Sequence, residues 1–224
     1  MARSSRPFWP VINPGSPHAN GLTGWWVPVP GLGWIDASLG HRFPGTLTNG
    51  ASLVAAPTTQ GGLAGDFDGT DDYVSVPHNS LLNIVTTTDV TLAVWCRIDN
   101  AVGWRGIVSK SRDSGSFWGI WVSNTGKFNW PNMNNSTASV ATGINHLVMR
   151  QRGSVGSNLF INGVKDATNG TTRDATGTGV FRIGGAYTGT AYESFDGAIW
   201  DVRLYRRALS DAECLSLYAP RTRW

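Results

Sequence analysis

The sequence predicts an all-β protein: two antiparallel sheets packed as a sandwich, with an extended N-terminal arm and one short C-terminal helix. Three observations carry this. Helix formers are scarce, with three Lys and two Glu against 28 Gly and 11 Pro, the composition of short strands joined by tight turns. Several apolar runs alternate with period two, so that one face of each is set for a core. Finally, 11 Trp, 8 Phe and 5 Tyr supply the apolar area needed to fill the space between two sheets.

A chain of 224 residues fits a single β-sandwich. Its expected parts are a proline-rich arm over residues 1–20, the sandwich over 21–219 and a basic tail over 220–224. Pro7, Pro10, Pro14 and Pro17 exclude a helix or a central strand from the arm. Its Phe8, Trp9, Val11 and Ile12 are apolar groups that a solvated tail rarely holds, so the arm is expected to lie on its own domain or on a partner. The basic residues are overwhelmingly Arg, and several gather near the ends: Arg3, Arg6, Arg203, Arg206, Arg207, Arg221 and Arg223. Arg suits bidentate and stacking contacts at interfaces. Arg3, Arg6, Phe8, Trp9, Arg221 and Arg223 are therefore the expected assembly contacts. The net charge is only +3 and no nucleic-acid motif accompanies the arginines, so nucleic acid is not an expected partner. The N-terminus lacks the apolar run of a signal peptide, and no stretch approaches the ~20 apolar residues of a membrane span. Neither export by that route nor a membrane partner is expected.

From Gly21 onward, turn pairs that favour positive φ separate the apolar runs: Asn49-Gly50, Asp68-Gly69, Asn162-Gly163 and Asn169-Gly170, each read as a hairpin turn. In TLAVWCRI, Leu92, Val94, Cys96 and Ile98 share one face and Thr91, Ala93, Trp95 and Arg97 the other, the pattern of a half-buried strand. SFWGIWVSNTGKFNW reads as two strands around Asn124-Thr125-Gly126, and NLFINGVKD and GVFRIGG as further strands. ALSDAECLSLYA is the one helix, with Ser210 and Glu213 forming a capping box and Leu209 placed to staple onto Cys214. Both cysteines are thereby explained by packing, and neither has a neighbour that suggests zinc or redox chemistry.

The ordered set GLTGWW (21–26), DASLGHRFPGTLTNG (36–50), FDGTDDYVSVP (67–77), TLAVWCRI (91–98), LFINGVKD (159–166), FRIGG (181–185) and SFDGAIWDVRLYRRALSDAE (194–213) resembles the laminin-G-like jelly rolls of the concanavalin A-like lectin and glucanase superfamily. The resemblance spans nearly the whole chain and implies a jelly-roll sandwich of about 12 to 14 strands. Two departures stand out. INHLV at Ile144–Val148 keeps His146 but lacks the Trp and first His of the usual strand, and GAIWDVRLY carries Trp200 where relatives often have Asp. In related jelly rolls this region helps hold a structural calcium, so Trp200 counts against a carried-over calcium site.

The residues argue against several chemistries. Retaining glucanases need two carboxylates ~5 Å apart, as an ExDxE pattern on one strand supplies, and no such pattern occurs. Glu193 falls in a predicted loop and Glu213 in the cap. No G-x-S-x-G elbow orients any of His18, His41, His78 or His146, and no phosphate-binding loop occurs. No cofactor is required by any motif. Calcium is the one ion for which ligands can be named, Asp36, Asp68 and Asp71. The acidic run also contains Asp66 and Asp72, and Phe-Asp-Gly recurs at Phe195–Gly197, which reads the first copy as a hairpin device. Aromatic rings near turns and strand ends, Trp104, Trp118, Trp130, Tyr187 and Tyr192, among Asn129, Asn132, Asn134 and Asn135, are the candidates for stacking on sugar faces.

The expected function is that of a non-catalytic recognition or assembly module. Stand-alone laminin-G-like proteins with such an arm resemble virion accessory proteins of bacteriophage, either capsid decoration or tail-associated. That resemblance implies a virion location, other subunits of a larger assembly as partners and a lectin-like sandwich facing glycans. A free carbohydrate-binding lectin is the alternative, and a glycoside hydrolase the remote one.

Overall fold

The structure, a computed structural model, describes residues 12–40, 42–57, 62–111, 117–130, 134–189 and 191–219. The assembly candidates Arg3, Arg6, Phe8, Trp9, Arg221 and Arg223 lie outside the described residues, as do His41 and Asn132. The strands are β1 (Leu22–Val29), β2 (Gly33–Asp36), β3 (Thr46–Thr48), β4 (Ser52–Ala55), β5 (Leu63–Asp68), β6 (Tyr73–Val76), β7 (Val90–Ile98) and β8 (Arg105–Lys110). They continue with β9 (Trp118–Val122), β10 (Lys127–Trp130), β11 (Asn134–Ser139), β12 (Gly143–Arg152), β13 (Gly156–Ile161), β14 (Val164–Asn169), β15 (Phe181–Ile183) and β16 (Asp196–Tyr205). The helix is α1 (Asp211–Tyr218). The described residues form sixteen strands, more than the expected 12 to 14; among them β3 is only three residues long, too short to show periodicity.

The strands form two antiparallel sheets. A nine-stranded sheet runs β14-β13-β12-β7-β16-β1-β2, with β5 also paired to β16 and β4 to β5. A seven-stranded sheet runs β11-β10-β9-β8-β15-β6-β3. β16 is the pivot of the larger sheet. Its whole length pairs with β7, while its other edge is divided between β5, opposite Asp196–Ile199, and β1, opposite Val202–Tyr205. The division falls at a bulge at Asp201, whose φ of +56° turns an extra residue out of the ladder. Between the sheets lies one core that includes Trp26, Trp34, Phe67, Trp118, Phe128, Trp130 and Phe181. Trp26 stacks on Phe181 at 4.7 Å, and its indole N–H donates to the Phe43 carbonyl at 2.7 Å.

Alternation in β7 is as read, with Leu92, Val94, Cys96 and Ile98 in the core. The strand is not half-buried, however. Its second face is covered as well: Ala93 packs with Val148, Phe160, Tyr205 and the helix residues Cys214 and Leu217, and Trp95 packs with Trp200. The covering helix starts with the expected capping box. Ser210 Oγ accepts from Glu213 N at 3.2 Å, and Glu213 Oε2 accepts from Ser210 N at 2.8 Å. Arg207 clamps the same carboxylate with two bonds of 2.7 and 3.0 Å. Leu209 and Cys214 share one apolar cluster, as the staple requires. Beneath the helix start, the fully buried Arg150 donates to the Leu209 carbonyl, Asp211 and Asn158. Cys96 and Cys214 sit on opposite sides of the sheet and are free thiols; burial pushes the Cys214 thiol up to about 12.

Residues 12–20 lie on the same outer surface. Ile12 is buried with Trp25, Val27, Val29 and Ala37, and Arg207 donates to the carbonyls of Pro17 and Asn20. Pro17–Ala19 forms a 3-10 turn, which an extended-arm reading did not include; Pro17 opens it, the one helical position where a missing N–H is harmless.

Three of the four turn pairs behave differently from the hairpin reading. Asn162-Gly163 joins the paired strands β13 and β14 with φ of +51° and +81°, and Asn124–Gly126 joins β9 to β10. Asn49-Gly50 and Asp68-Gly69, by contrast, carry the chain from one sheet to the other, since β3 and β6 belong to the seven-stranded sheet and β4 and β5 to the nine-stranded one. Asn169-Gly170 ends β14 without starting a paired strand. The acidic run explains the crossing: buried Asp72 accepts from Gly50 N at 2.6 Å and from Asp68 N at 3.2 Å, so a single carboxylate ties both crossing turns together. The two Phe-Asp-Gly copies pair side by side, Asp196 opposite Asp68 and Gly197 opposite Phe67, with Phe67 and Phe195 meeting edge to face at 6.3 Å.

The clamped Glu213 titrates at about 2, held there chiefly by Arg207, against its ordinary 4.5. The stabilisation is therefore present above pH 4.5, where the unfolded carboxyl is already ionised, and is lost as pH falls toward 2. Glu213→Gln is expected to flatten the fall in Tm between pH 5 and pH 2 measured by thermal denaturation.

Candidate functional site on the seven-stranded sheet

Within the seven-stranded sheet, Val74 and Val76, Phe181 and Ile183, Val108, Trp118, Ile120 and Val122, and Phe128 and Trp130 face the core. Period-two alternation turns their neighbours outward: Tyr73 and Ser75, Arg182, Ser109, Gly119 and Trp121, and Asn129. The register aligns them in two rows. One runs Asn135, Asn129, Trp121, Gly106, and the other Gly119, Ser109, Arg182, Ser75.

The β15–β16 connection folds back onto this face. Ala186 and Glu193 exchange backbone bonds of 2.8 and 3.2 Å, Tyr187 bridges Tyr192, and Gly106 N donates to the Glu193 carbonyl at 2.7 Å. Glycine is required at 106 because a Cβ there would lie 2.7 Å from Ala186 N. The fold-back gathers three tyrosines. Tyr187 and Tyr192 have ring centroids 4.8 Å apart, and Tyr192 stacks at 6.3 Å on Tyr73. The Arg182 guanidinium lies 5.2 Å from the Tyr73 ring and 5.8 Å from Tyr187, a cation held against two π faces. On the other side of Ala186, Phe117 meets Trp121 edge to face at 5.5 Å and the half-buried Trp104 packs on the same cluster. Arg173 lies over Phe117 at 4.7 Å.

Three of the five sequence-named aromatics therefore come together on one face: Trp104, Tyr187 and the 46 % exposed Tyr192. Trp118 and Trp130 do not belong with them. Both are core residues, 0 % and 2 % exposed, and Trp130 spends its N–H on Ser157 Oγ at 3.0 Å. Their placement follows from strand parity, because in WGIWV residues 118, 120 and 122 share the core face while 119 and 121 face out. Parity sets Trp121 on the face opposite Trp118 without saying which face is the core, and sequence reasoning missed Trp121 along with Tyr73 and Arg182. In the floor of this face, Trp121 Nε1 and Asn129 Oδ1 are buried without a hydrogen-bond partner, and such atoms cost about 1–3 kcal/mol each when left unmatched.

The three calcium candidates differ in setting. Asp36 is buried and both its oxygens accept backbone N–H groups, Oδ1 from Trp25 and Ser38 and Oδ2 from Arg42 and Phe43, at 3.0 to 3.3 Å. It organises its loop as an internal acceptor. Asp68 closes a turn by accepting from Thr70 N at 2.8 Å, and the Asp71 carbonyl accepts from Asn49. Beside Trp200, the bulged Asp201 takes two bonds from Arg203 and one from the Trp25 indole. Among the described residues, no group of three or more His, Cys, Asp or Glu is arranged to hold a metal ion.

Ser216 Oγ and His18 Nε2 stand 3.2 Å apart, a serine–histidine contact that the sequence did not signal. Burial and the nearby Arg203 lower the His18 pKa, but no carboxylate orients its Nδ1 among the described residues, so the triad relay is incomplete. Glu193 is buried in the fold-back, and the half-buried Glu213 is engaged in the cap.

Comparison with known proteins defines first a class: residues 68–214 match a model of the concanavalin A-like lectin/glucanases superfamily. The chain belongs to that model's family, Laminin_G_3. No curated protein matches the chain by sequence. Among solved structures, domain 4 of the extracellular arabinanase AbnA of Geobacillus stearothermophilus, in complex with arabinotriose, is similar at TM-score 0.67 and 18% identity, over 88% of this chain and 98% of that one. The binding domain of Paraclostridial mosquitocidal protein 1 is similar at TM-score 0.67 and 15% identity, over 89% of this chain and 52% of that one. A sialidase of Trypanosoma rangeli in complex with sialic acid is similar at TM-score 0.67 and 18% identity, over 90% of this chain and 33% of that one. The chain thus spans about half of the toxin domain and a third of the sialidase. At these identities the likeness shows the fold.

With Asp36 saturated by backbone donors, adding 1 mM-scale calcium or a chelator is expected to leave Tm unchanged within about 1 °C. Differential scanning fluorimetry checks this, and a calcium-dependent rise of several degrees would show a site elsewhere.

Proposed function

We propose that the chain is a non-catalytic carbohydrate-recognition module that binds a glycan on the outer face of the seven-stranded sheet. The observation that carries the reading is the gathering of Tyr187, Tyr192 and Trp104 on that face, around buried polar side chains. A sugar ring offers an apolar C–H face for stacking and a hydroxyl edge for fixed polar groups, the combination such a surface matches. The arabinotriose complex of the arabinanase domain and the binding domain of the toxin lend the reading support from the same fold.

Attachment to a larger protein assembly, in a virion as decoration or tail component, is part of the proposal. Its support is the sequence of the ends, where Arg3, Arg6, Phe8, Trp9, Arg221 and Arg223 combine cationic and aromatic groups suited to docking. A second reading, glycoside hydrolysis, is favoured by one observation: Asp68 and Asp196 stand opposite each other across β5 and β16. Against it, both belong to the paired Phe-Asp-Gly turn and lie on a different sheet from the tyrosine cluster.

Binding measured by glycan array and then by calorimetry is expected to weaken about tenfold in Tyr192→Ala and in Trp104→Ala, with unchanged Tm, the scale of one lost stacking contact. Wild-type affinity in both variants would remove the site. Release of reducing sugar that disappears in Asp196→Asn would replace the reading with the hydrolase.

A further inference from the structure

In the floor of the same face, Trp121 on β9 and Asn129 on β10 are direct cross-strand neighbours. Both point outward, because Ile120, Val122, Phe128 and Trp130 point into the core. Trp121 is 2 % exposed and Asn129 1 %. Asn129 Nδ2 donates to Asn135 Oδ1 at 3.2 Å, which fixes the amide with its oxygen free. Among the described residues, that Oδ1 accepts from no group and Trp121 Nε1 donates to none. Among the described residues this is the one cross-strand pair in which a buried donor and a buried acceptor, both unmatched, stand opposite each other. Cβ atoms of directly opposed residues lie ~5 Å apart, a span that one small polar group can bridge.

The two atoms together specify the chemistry of that group. It must accept from an indole N–H and donate to an amide oxygen. An ammonium has no acceptor, and a carboxylate has no hydrogen for Oδ1 and would be repelled by it. A hydroxyl does both. The donor is also held in place, since Trp121 lies back along β9 over Gly119: a Cβ on Gly119 would come within 3.0 Å of the indole Cη2. Trp104 packs against this same cluster, so a ring resting on Trp104 is one side chain away from the pair.

We infer that the face selects a neutral, hydroxylated sugar, with one ring hydroxyl accepting from Trp121 Nε1 and donating to Asn129 Oδ1. The inference rests on the glycan-binding reading and names the ligand class for that site.

The test uses the full chain. An array of neutral oligosaccharides, arabinotriose included, is compared with sialylated and uronic-acid oligosaccharides, and the best binder is titrated by calorimetry into wild type, Trp121→Phe, Asn129→Ala and Tyr192→Ala, each first checked for wild-type Tm. The expected result is a neutral binder that loses about tenfold in Trp121→Phe, which keeps a ring but removes the N–H, and about tenfold in Asn129→Ala. Monodeoxy analogues of that binder should include one that is weak for wild type and is not weakened further by Trp121→Phe. Binding that falls in Tyr192→Ala but stays at wild-type strength in both floor variants would show that a trapped water answers the pair, overturning the inference and leaving the site. Binding confined to acidic glycans would overturn it too. Binding of no glycan at all would overturn the inference together with the reading beneath it.

Discussion

Everything in this molecule depends on the nine-stranded sheet being covered on both faces. One face of β7, β12 and β16 fills the sandwich core, and the other lies under α1, the residues that lead into β1 and the Trp95–Trp200 contact. The cover is fixed by two arginines. Arg150, fully buried, holds the start of α1 from below, and Arg207 links Glu213 of the helix to the carbonyls of Pro17 and Asn20. A buried guanidinium is tolerable only when its donors are matched, and at Arg150 an amide, a carbonyl and a carboxylate match them. In the proposed reading, recognition falls to the outer face of the other sheet.

That second face is built by a different device. Bare backbone at Gly106 lets the β15–β16 connection settle directly on β8, and the settled connection brings Tyr187 and Tyr192 beside Tyr73, with Arg182 held against two of the rings. Ring contacts and the cation give the tyrosines a defined arrangement, which in the proposed reading lowers the ordering cost of binding. Gly119 does the same for Trp121. Glycine thus shapes the site twice, each time by omission of a side chain.

Local signals in the sequence were legible where the physics is local. The capping box at Ser210 and Glu213, the staple of Leu209 on Cys214, the Asn162-Gly163 hairpin and the parity of β7 all appear in the structure as the residues suggest. Asn49-Gly50 and Asp68-Gly69 were legible as turns but not as crossings, because turn chemistry fixes backbone angles and says nothing about which sheet the next strand joins. Asp72, which ties those turns together, is indistinguishable in sequence from the less buried aspartates around it. The same limit divided the aromatics. Trp104, Tyr187 and Tyr192 could be found from their places near strand ends, whereas separating Trp118 and Trp130 from Trp121 needs the direction of the core across a strand pair, a non-local fact.

The central claim, that the seven-stranded sheet is the binding face, is tested most directly by following the side-chain indole N–H resonances of the 11 tryptophans in a 15N-labelled sample during titration with a bound oligosaccharide. The account predicts that the signals of Trp104 and Trp121 move, while those of Trp95 and Trp200, on the covered outer face of the other sheet, stay in place. Movement of Trp95 and Trp200 with Trp104 and Trp121 unchanged would contradict it.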